Sequence, residues 1–230
     1  MAKIVMFGNM KGGIGKSTAT LLAATALAQA PFNKKVIVLD LDRQGSLHEL
    51  RELDKEDTNS FSYPVRSCTM EEFYKDIKQL DQDYDLVFLD TGGKLDNNLS
   101  FEQQEITPML LNTDVLFIPF VAGNFATDAT LKYLEYVVKV EQLKQEKHGQ
   151  SLNIIGFVNM HIKNRKDDSD LAEYLAEIAS ETGLKFMQNR LGFYTAYRGA
   201  DTIKSLYKEK PNNSQERNFK MWIKELSKNL

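Results

Sequence analysis

Residues 9–18 read Asn-Met-Lys-Gly-Gly-Ile-Gly-Lys-Ser-Thr and join an apolar run, Lys3–Gly8, to an Ala- and Leu-rich stretch, Thr18–Ala30. The run predicts a strand and the stretch, built of strong helix formers, a helix. A glycine-rich loop in this setting predicts a phosphate cradle. Gly12, Gly13 and Gly15 let backbone N–H groups converge on phosphate oxygens without side-chain clash. The helix behind them turns its positive end to the same anion. Lys16 is placed to reach the β- and γ-phosphates of a nucleotide and the Ser17 hydroxyl to bind Mg²⁺. The strict pattern has glycine five residues before Gly15. Met10 stands there, and Lys11 is added beside Gly12 and Gly13.

The rest of the chain alternates short apolar runs with longer helical stretches. Val36–Asp40, Leu86–Asp90, Asp114–Pro119 and Asn153–Asn159 read as strands. Met70–Leu80, residues from about Thr127 to Lys147, and Ser169–Thr182 read as helices. A last helix carries the stripe Phe219, Trp222, Ile223, Leu226 and Leu230. Continuous apolar strands separated by helices predict an α/β fold, a mostly parallel sheet with helices on both faces in three layers. No linker divides residues 1–230, so one domain is expected. Ligands in such folds sit at the carboxyl ends of the strands. Two strands there end in aspartate: Asp40, followed by Leu41-Asp42-Arg43-Gln44-Gly45, and Asp90, followed by Thr91-Gly92-Gly93. Asp40 and Asp42 point to the same side of an extended chain. The segments Asp54–Ser62 and Gly92–Ser100 read as mobile loops.

Net charge is −3 over 230 residues, which argues against a protein that coats nucleic acid generally. The charge is uneven. Residues 185–230 hold ten Lys/Arg against four Asp/Glu, a local +6, and residues 1–184 carry −9. A basic end on an acidic body creates a local field for phosphates. Arg198, Lys204, Lys208, Lys220 and Lys224 are the first candidates for DNA contact. In the last helix Arg217, Lys220, Lys224 and Lys228 share one face, opposite an apolar stripe wide enough to dock on the sheet. The single cysteine, Cys68, can form no internal disulfide, which suggests a reducing cytosol. No stretch approaches the ~18 apolar residues of a membrane span, and residues 1–8 lack the long apolar region of a signal peptide. His48, His148 and His161 show no metal-ligand spacing. The cluster Phe193, Tyr194 and Tyr197 reads as a packing edge rather than a base-stacking surface. Asn164-Arg165-Lys166-Asp167 faintly matches a guanine signature but lies five residues past its strand, so it reads as a solvated turn and ATP is favoured over GTP.

The segment Lys11-Gly12-Gly13-Ile14-Gly15-Lys16-Ser17-Thr18 resembles the deviant Walker A motif of the ParA/MinD family of ATPases, which also includes the nitrogenase iron protein. The resemblance implies a P-loop NTPase fold. Lys11 stands at the family's signature lysine, which in relatives reaches across a two-fold interface to the partner's phosphates. Asp40 to Gly45 is similar to the family's Asp-x-Asp-Pro-Gln-Gly segment, with Arg43 in place of proline. The match gives Asp42 the water-activating role and Asp40 a supporting place in the metal shell. Leu86–Asp90 resembles a Walker B strand, so Asp90 would hold a metal-bound water. Gly92-Gly93 replaces a common pair of prolines in a loop able to move with the γ-phosphate. Asn159 matches an asparagine that contacts adenine. The catalytic set implied is Lys11, Lys16 and Asp42, with nucleotide bound by residues 11–18 and Asn159 and Mg²⁺ held by Ser17, Asp40 and Asp90.

Because the phosphate-loop strand begins at residue 3, the chain looks like a small ParA. That likeness implies a cytoplasmic, nucleoid-associated DNA-segregation ATPase with slow, switch-like turnover. ATP would drive a homodimer, the dimer would bind DNA without sequence preference, and a ParB-like centromere-binding activator would trigger hydrolysis and release. The alternatives are a MinD-like membrane-positioning ATPase and an accessory ATPase of a mobile element.

Overall fold

A computed structural model describes residues 1–58, 60–92, 99 and 104–230, with the side chains of Asn124 and Phe125 outside the description. In chain order the elements are β1 (Lys3–Phe7), α1 (Lys16–Ala28), β2 (Val36–Asp40), α2 (Ser46–Asp54), β3 (Val65–Ser67), α3 (Met70–Asp83), β4 (Leu86–Asp90), α4 (Ile106–Asn112), β5 (Val115–Phe120), α5 (Asn124–His148), β6 (Asn153–Val158), α6 (Lys166–Thr182), β7 (Lys185–Phe186), α7 (Thr195–Arg198) and α8 (Ser214–Lys228).

The strands form one seven-stranded sheet in the order β3-β2-β4-β1-β5-β6-β7. Every pairing is parallel. The chain leaves β1 for β2 on one side, returns to β4, then crosses to β5 on the other. The crevice at the carboxyl ends of β1, β4 and β5 is therefore a topological switch point, where open α/β sheets bind ligands.

The α/β expectation is met because the inner strands are buried on both faces, which their unbroken apolar runs require. Alternation assigns the faces. Val5 and Phe7 face a cluster containing α1 and α8, and Met6 faces one containing α4, α5 and α6. A third cluster lies under α3. The stripe of α8 enters the core, with Trp222 near the Phe7 and Phe157 rings at 6.4 and 6.0 Å. Phe219, Trp222, Ile223 and Leu226 are fully buried.

The short elements β3, β7, α2, α4 and α7 carry no clear sequence signal and are supplied by packing. The segment expected to be a mobile loop, Asp54–Ser62, is tied at both ends. Asp54 closes α2 and is buried, and the Phe61 ring lies 4.1 Å from the Arg51 guanidinium carbon; Asn59 is outside the described residues. Of the other expected loop, Gly92–Ser100, only Gly92 and Leu99 are described, so the role expected of Gly93 lies outside the described residues.

A candidate nucleotide site at the carboxyl edge

The phosphate loop hangs from β1 and is rooted by Asn9, which is fully buried. The Asn9 amide donates to the Pro119 carbonyl at 3.1 Å and to Thr130 Oγ1 at 2.8 Å, and its Oδ1 accepts from the Lys11 N–H at 3.0 Å. The loop's entry is thereby bolted to β5 and α5, a role the motif does not display. At its exit Gly15 is the N-cap of α1 with φ 84°, a left-handed conformation that favours glycine. A Cβ there would meet Asn159 Nδ2 at 2.7 Å. No side chain caps α1, so its first-turn N–H groups remain available to an anion.

Lys16 is 8% exposed and its Nζ reaches back to the Lys11 carbonyl at 3.4 Å, a long contact that a phosphate would replace. Burial lowers its pKa, opposed by the charges of Asp90 and Asp42. Lys11 is exposed and is not among the residues lining its own cleft.

Asp40 and Asp90 are register partners on β2 and β4. Their surroundings differ. Asp40 is held by three backbone donors: Oδ1 accepts from the Asp42 N–H at 3.2 Å, and Oδ2 from the Leu47 and His48 N–H groups at 3.0 Å each. It caps α2, whose own N-cap is Gly45. Both oxygens accept from backbone donors, Oδ1 from one alone, so the side chain braces this turn beside the expected metal shell. Burial raises its pKa against these three hydrogen bonds.

Asp90 is 1% exposed, and neither of its oxygens has a hydrogen-bond partner. Burial pushes its carboxyl up to about 7; the nearby Ser17 hydroxyl and Lys16 pull it down, while Asp40 and Asp42 push it up. Ser17 acts on the carboxyl without making a well-formed hydrogen bond to it. Thr91 is also buried with its hydroxyl unpartnered, and it lines the cleft. Asp42 accepts from the Gln44 N–H at 3.0 Å and lies against Gly92, where a Cβ would come within 3.2 Å of its Oδ1.

These groups open into a cleft of about 890 Å³, within the range of small-molecule sites. Its opposite wall comes from residues 159–160 and 191–198. Asn159 is buried and its amide donates to the Ile14 carbonyl at 2.7 Å, so that donor braces the phosphate loop from beneath. The aromatic cluster divides. Tyr197 is core, its hydroxyl donating to the Gln215 carbonyl at 2.7 Å. Phe193 is 45% exposed in the cleft with the Arg198 guanidinium 5.7 Å from its ring centre. The sequence hint of this flat wall is the run Phe193-Tyr194 followed by Arg198, and the expected packing edge holds for Tyr197 but not for Phe193.

Of the basic candidates, Arg198 faces the cleft. Lys220 is 18% exposed in its side chain, donates to the Glu209 carbonyl and lies 3.4 Å from that carboxylate. Lys204, Lys208 and Lys224 are exposed. The stretch Asn164 to Asp167 is exposed at the start of α6 and does not line the cleft. His161 Nδ1 pairs with buried Asp168 at 2.8 Å. Among the described residues no cluster of three or more His, Cys, Asp or Glu could hold a metal ion, and no helix is long and apolar enough to cross a membrane.

Similarity to known proteins agrees with this geometry. The structure of a Borrelia burgdorferi plasmid partition protein bound to AMPPNP matches with TM-score 0.70 at 18% identity, over 100% of both chains. Cyanthece apo McdA matches with TM-score 0.67 at 15% identity, over 98% of this chain and 100% of the other. The Aquifex aeolicus MinD cell division protein matches with TM-score 0.62 at 15% identity, over 99% and 98%. Comparison with curated protein sequences gives no match. The family model described as the CobQ/CobB/MinD/ParA nucleotide binding domain matches residues 5–200, most of the chain, and the protein therefore belongs to that family.

Proposed function

We propose that this chain is a small ParA-type ATPase that segregates DNA. The observation that carries the reading is the division of labour between two lysines in one loop. Lys16 is buried against the carboxylates of its own cleft, and Lys11 is exposed outside it. A lysine so placed suits the phosphates of a second copy docked face to face, which makes ATP the glue of a dimer.

Within each cleft, the residues 12–18 cradle would hold the triphosphate, with Lys16 on the β- and γ-phosphates. Mg²⁺ fits the residues present. Asp90 offers two buried, unpartnered oxygens beside Ser17, and Mg²⁺ takes one or two protein oxygens plus phosphate and water. Bound there, it would supply charge neutralisation at the phosphates. Asp42 would orient the attacking water, acting by position. Asp40 would serve indirectly, fixing the Asp42 loop and α2. The Phe193–Arg198 wall suits a planar base such as adenine.

DNA contact falls to the exposed Lys204, Lys208 and Lys224, with Arg198, also exposed, at the cleft mouth and Lys220 tied to Glu209. A ParB-like activator would trigger hydrolysis and release, in a cytoplasmic, nucleoid-associated cycle. The MinD-like membrane alternative is disfavoured by α8, whose apolar face is consumed in the core.

The test is a gel shift of random-sequence duplex DNA with ATP or ADP, beside sedimentation with anionic liposomes. ATP-dependent, sequence-independent DNA binding is expected, weakening by about 0.9 in log K per log salt for each phosphate contacted. Binding to liposomes with no DNA binding at low salt would overturn the partition reading.

A further inference from the structure

Arg43 stands where the resemblance places a proline, between Asp42 and Gln44, and it lines the cleft together with Lys16, Asp42 and Glu105. The backbone beneath it is firmly built. The Asp42 N–H donates to Asp40 at 3.2 Å, the Gln44 N–H to Asp42 Oδ1 at 3.0 Å, and the Gly45 N–H to the Asp42 carbonyl at 2.9 Å. The side chain on this platform is 85% exposed and forms an ion pair with Glu105, itself 68% exposed, at the start of α4.

An ion pair this wet is a weak tie. A terminal phosphate is a stronger partner, because its oxygens accept the guanidinium fork in a bidentate pair at higher charge. A fixed backbone carrying a loosely held cation at the mouth of a triphosphate cleft is suited to exchange partners when nucleotide enters.

We infer that Arg43 is a further catalytic residue: in the empty cleft it rests on Glu105, and with ATP bound its guanidinium passes to the γ-phosphate. The inference rests on the ATP-hydrolysis reading above. In that reaction a water oxygen bonds the γ-phosphorus while the bond to the β,γ-bridging oxygen breaks, and the electron pair stays on ADP. The water's protons end on phosphate or solvent. Arg43 neither gains nor loses a proton; it offsets the charge that builds on the transferring group's oxygens, alongside Lys16.

The experiment is single-turnover Mg-ATP hydrolysis by wild type, Arg43→Ala, Arg43→Lys and Glu105→Gln, with ADP affinity by calorimetry as the check on folding and binding. Arg43→Ala is expected to lose about tenfold or more in hydrolysis rate and keep wild-type ADP affinity. Arg43→Lys falls between, since lysine supplies charge without the fork. Glu105→Gln, which frees the guanidinium, raises the rate and tightens ATP but not ADP. A wild-type rate in Arg43→Ala overturns the inference. Equal losses in Arg43→Ala and Glu105→Gln also overturn it, because the pair would then be only a strap. A wild-type protein that binds ADP and never hydrolyses ATP removes the hydrolytic reading itself, and Arg43's role with it.

Discussion

The two walls of the cleft are built on opposite principles. On the phosphate side polar groups are left without partners: both Asp90 oxygens, the Thr91 hydroxyl, and the first-turn N–H groups of α1, which no side chain caps. On the opposite side they are tied into one another. Asn218 accepts the Gly192 N–H at 2.9 Å and donates to the Arg190 carbonyl at 2.8 Å. Glu225 accepts the Gln188 and Asn189 N–H groups at 2.7 Å each. Behind this wall Thr202 gives its N–H and its hydroxyl to Asp54 at 2.7 and 2.6 Å and accepts Arg51 Nε at 2.8 Å. Buried polar groups in folded proteins are normally paired. Thr20 Oγ1, Tyr133 OH, Asp168 Oδ2 and Trp222 Nε1 are unpaired as well, but each on a different helix; at Asp90 and Thr91 unpaired groups are neighbours at the carboxyl edge, where a ligand would complete them.

Asp90 carries the largest expected effect. A carboxyl whose pKa is raised by folding contributes stability that is present below its unfolded value, 3.8, and lost as pH rises through about 7. Nucleotide-free protein should therefore lose stability between about pH 4 and 7, by a few kcal/mol at most. Asp90→Asn should lose markedly less over that window, so its relative stability climbs with pH and levels off above 7. Urea unfolding at a series of pH values reads this directly, and parallel curves for the two proteins would mean that Asp90 is not an uncompensated buried acid.

A smaller effect is expected on the paired side. Thr202→Val removes one hydroxyl and leaves Asp54 and Arg51 each short of a partner, which should lower stability by about 1–3 kcal/mol. Nucleotide affinity should stay at the wild-type value. A comparable fall in affinity would show that the two walls act as one unit and would blur the distinction drawn between them.

The same contrast explains what could be read from the sequence. The phosphate side is written in contiguous residues: the loop 9–18 between a strand and a helix, and two apolar runs ending in Asp40 and Asp90. Local geometry carries that chemistry, so the pattern shows it. The other wall depends on pairs far apart in the chain. Arg51 and Thr202 are separated by 151 positions, and Asn159 and Ile14 by 145. Nothing near Asn159 announces that its amide braces the phosphate loop, nor does anything near Arg198 announce that it borders the cleft. Asp40 shows a subtler limit: the spacing places it correctly at the carboxyl edge, but only the course of α2 reveals that both its oxygens accept from backbone donors. Helices with a strong stripe, such as α8, are legible; β3 and β7, of three and two residues, are not, because elements that short exist only as edges of a sheet already formed.

If the unpaired side is a triphosphate site organised around Lys16, calorimetric titration of AMPPNP with Mg²⁺ should give saturable binding to the wild type and a loss of affinity in Lys16→Ala large enough to remove the signal, with the variant still folded by circular dichroism. Wild-type affinity in the folded Lys16→Ala protein would contradict it.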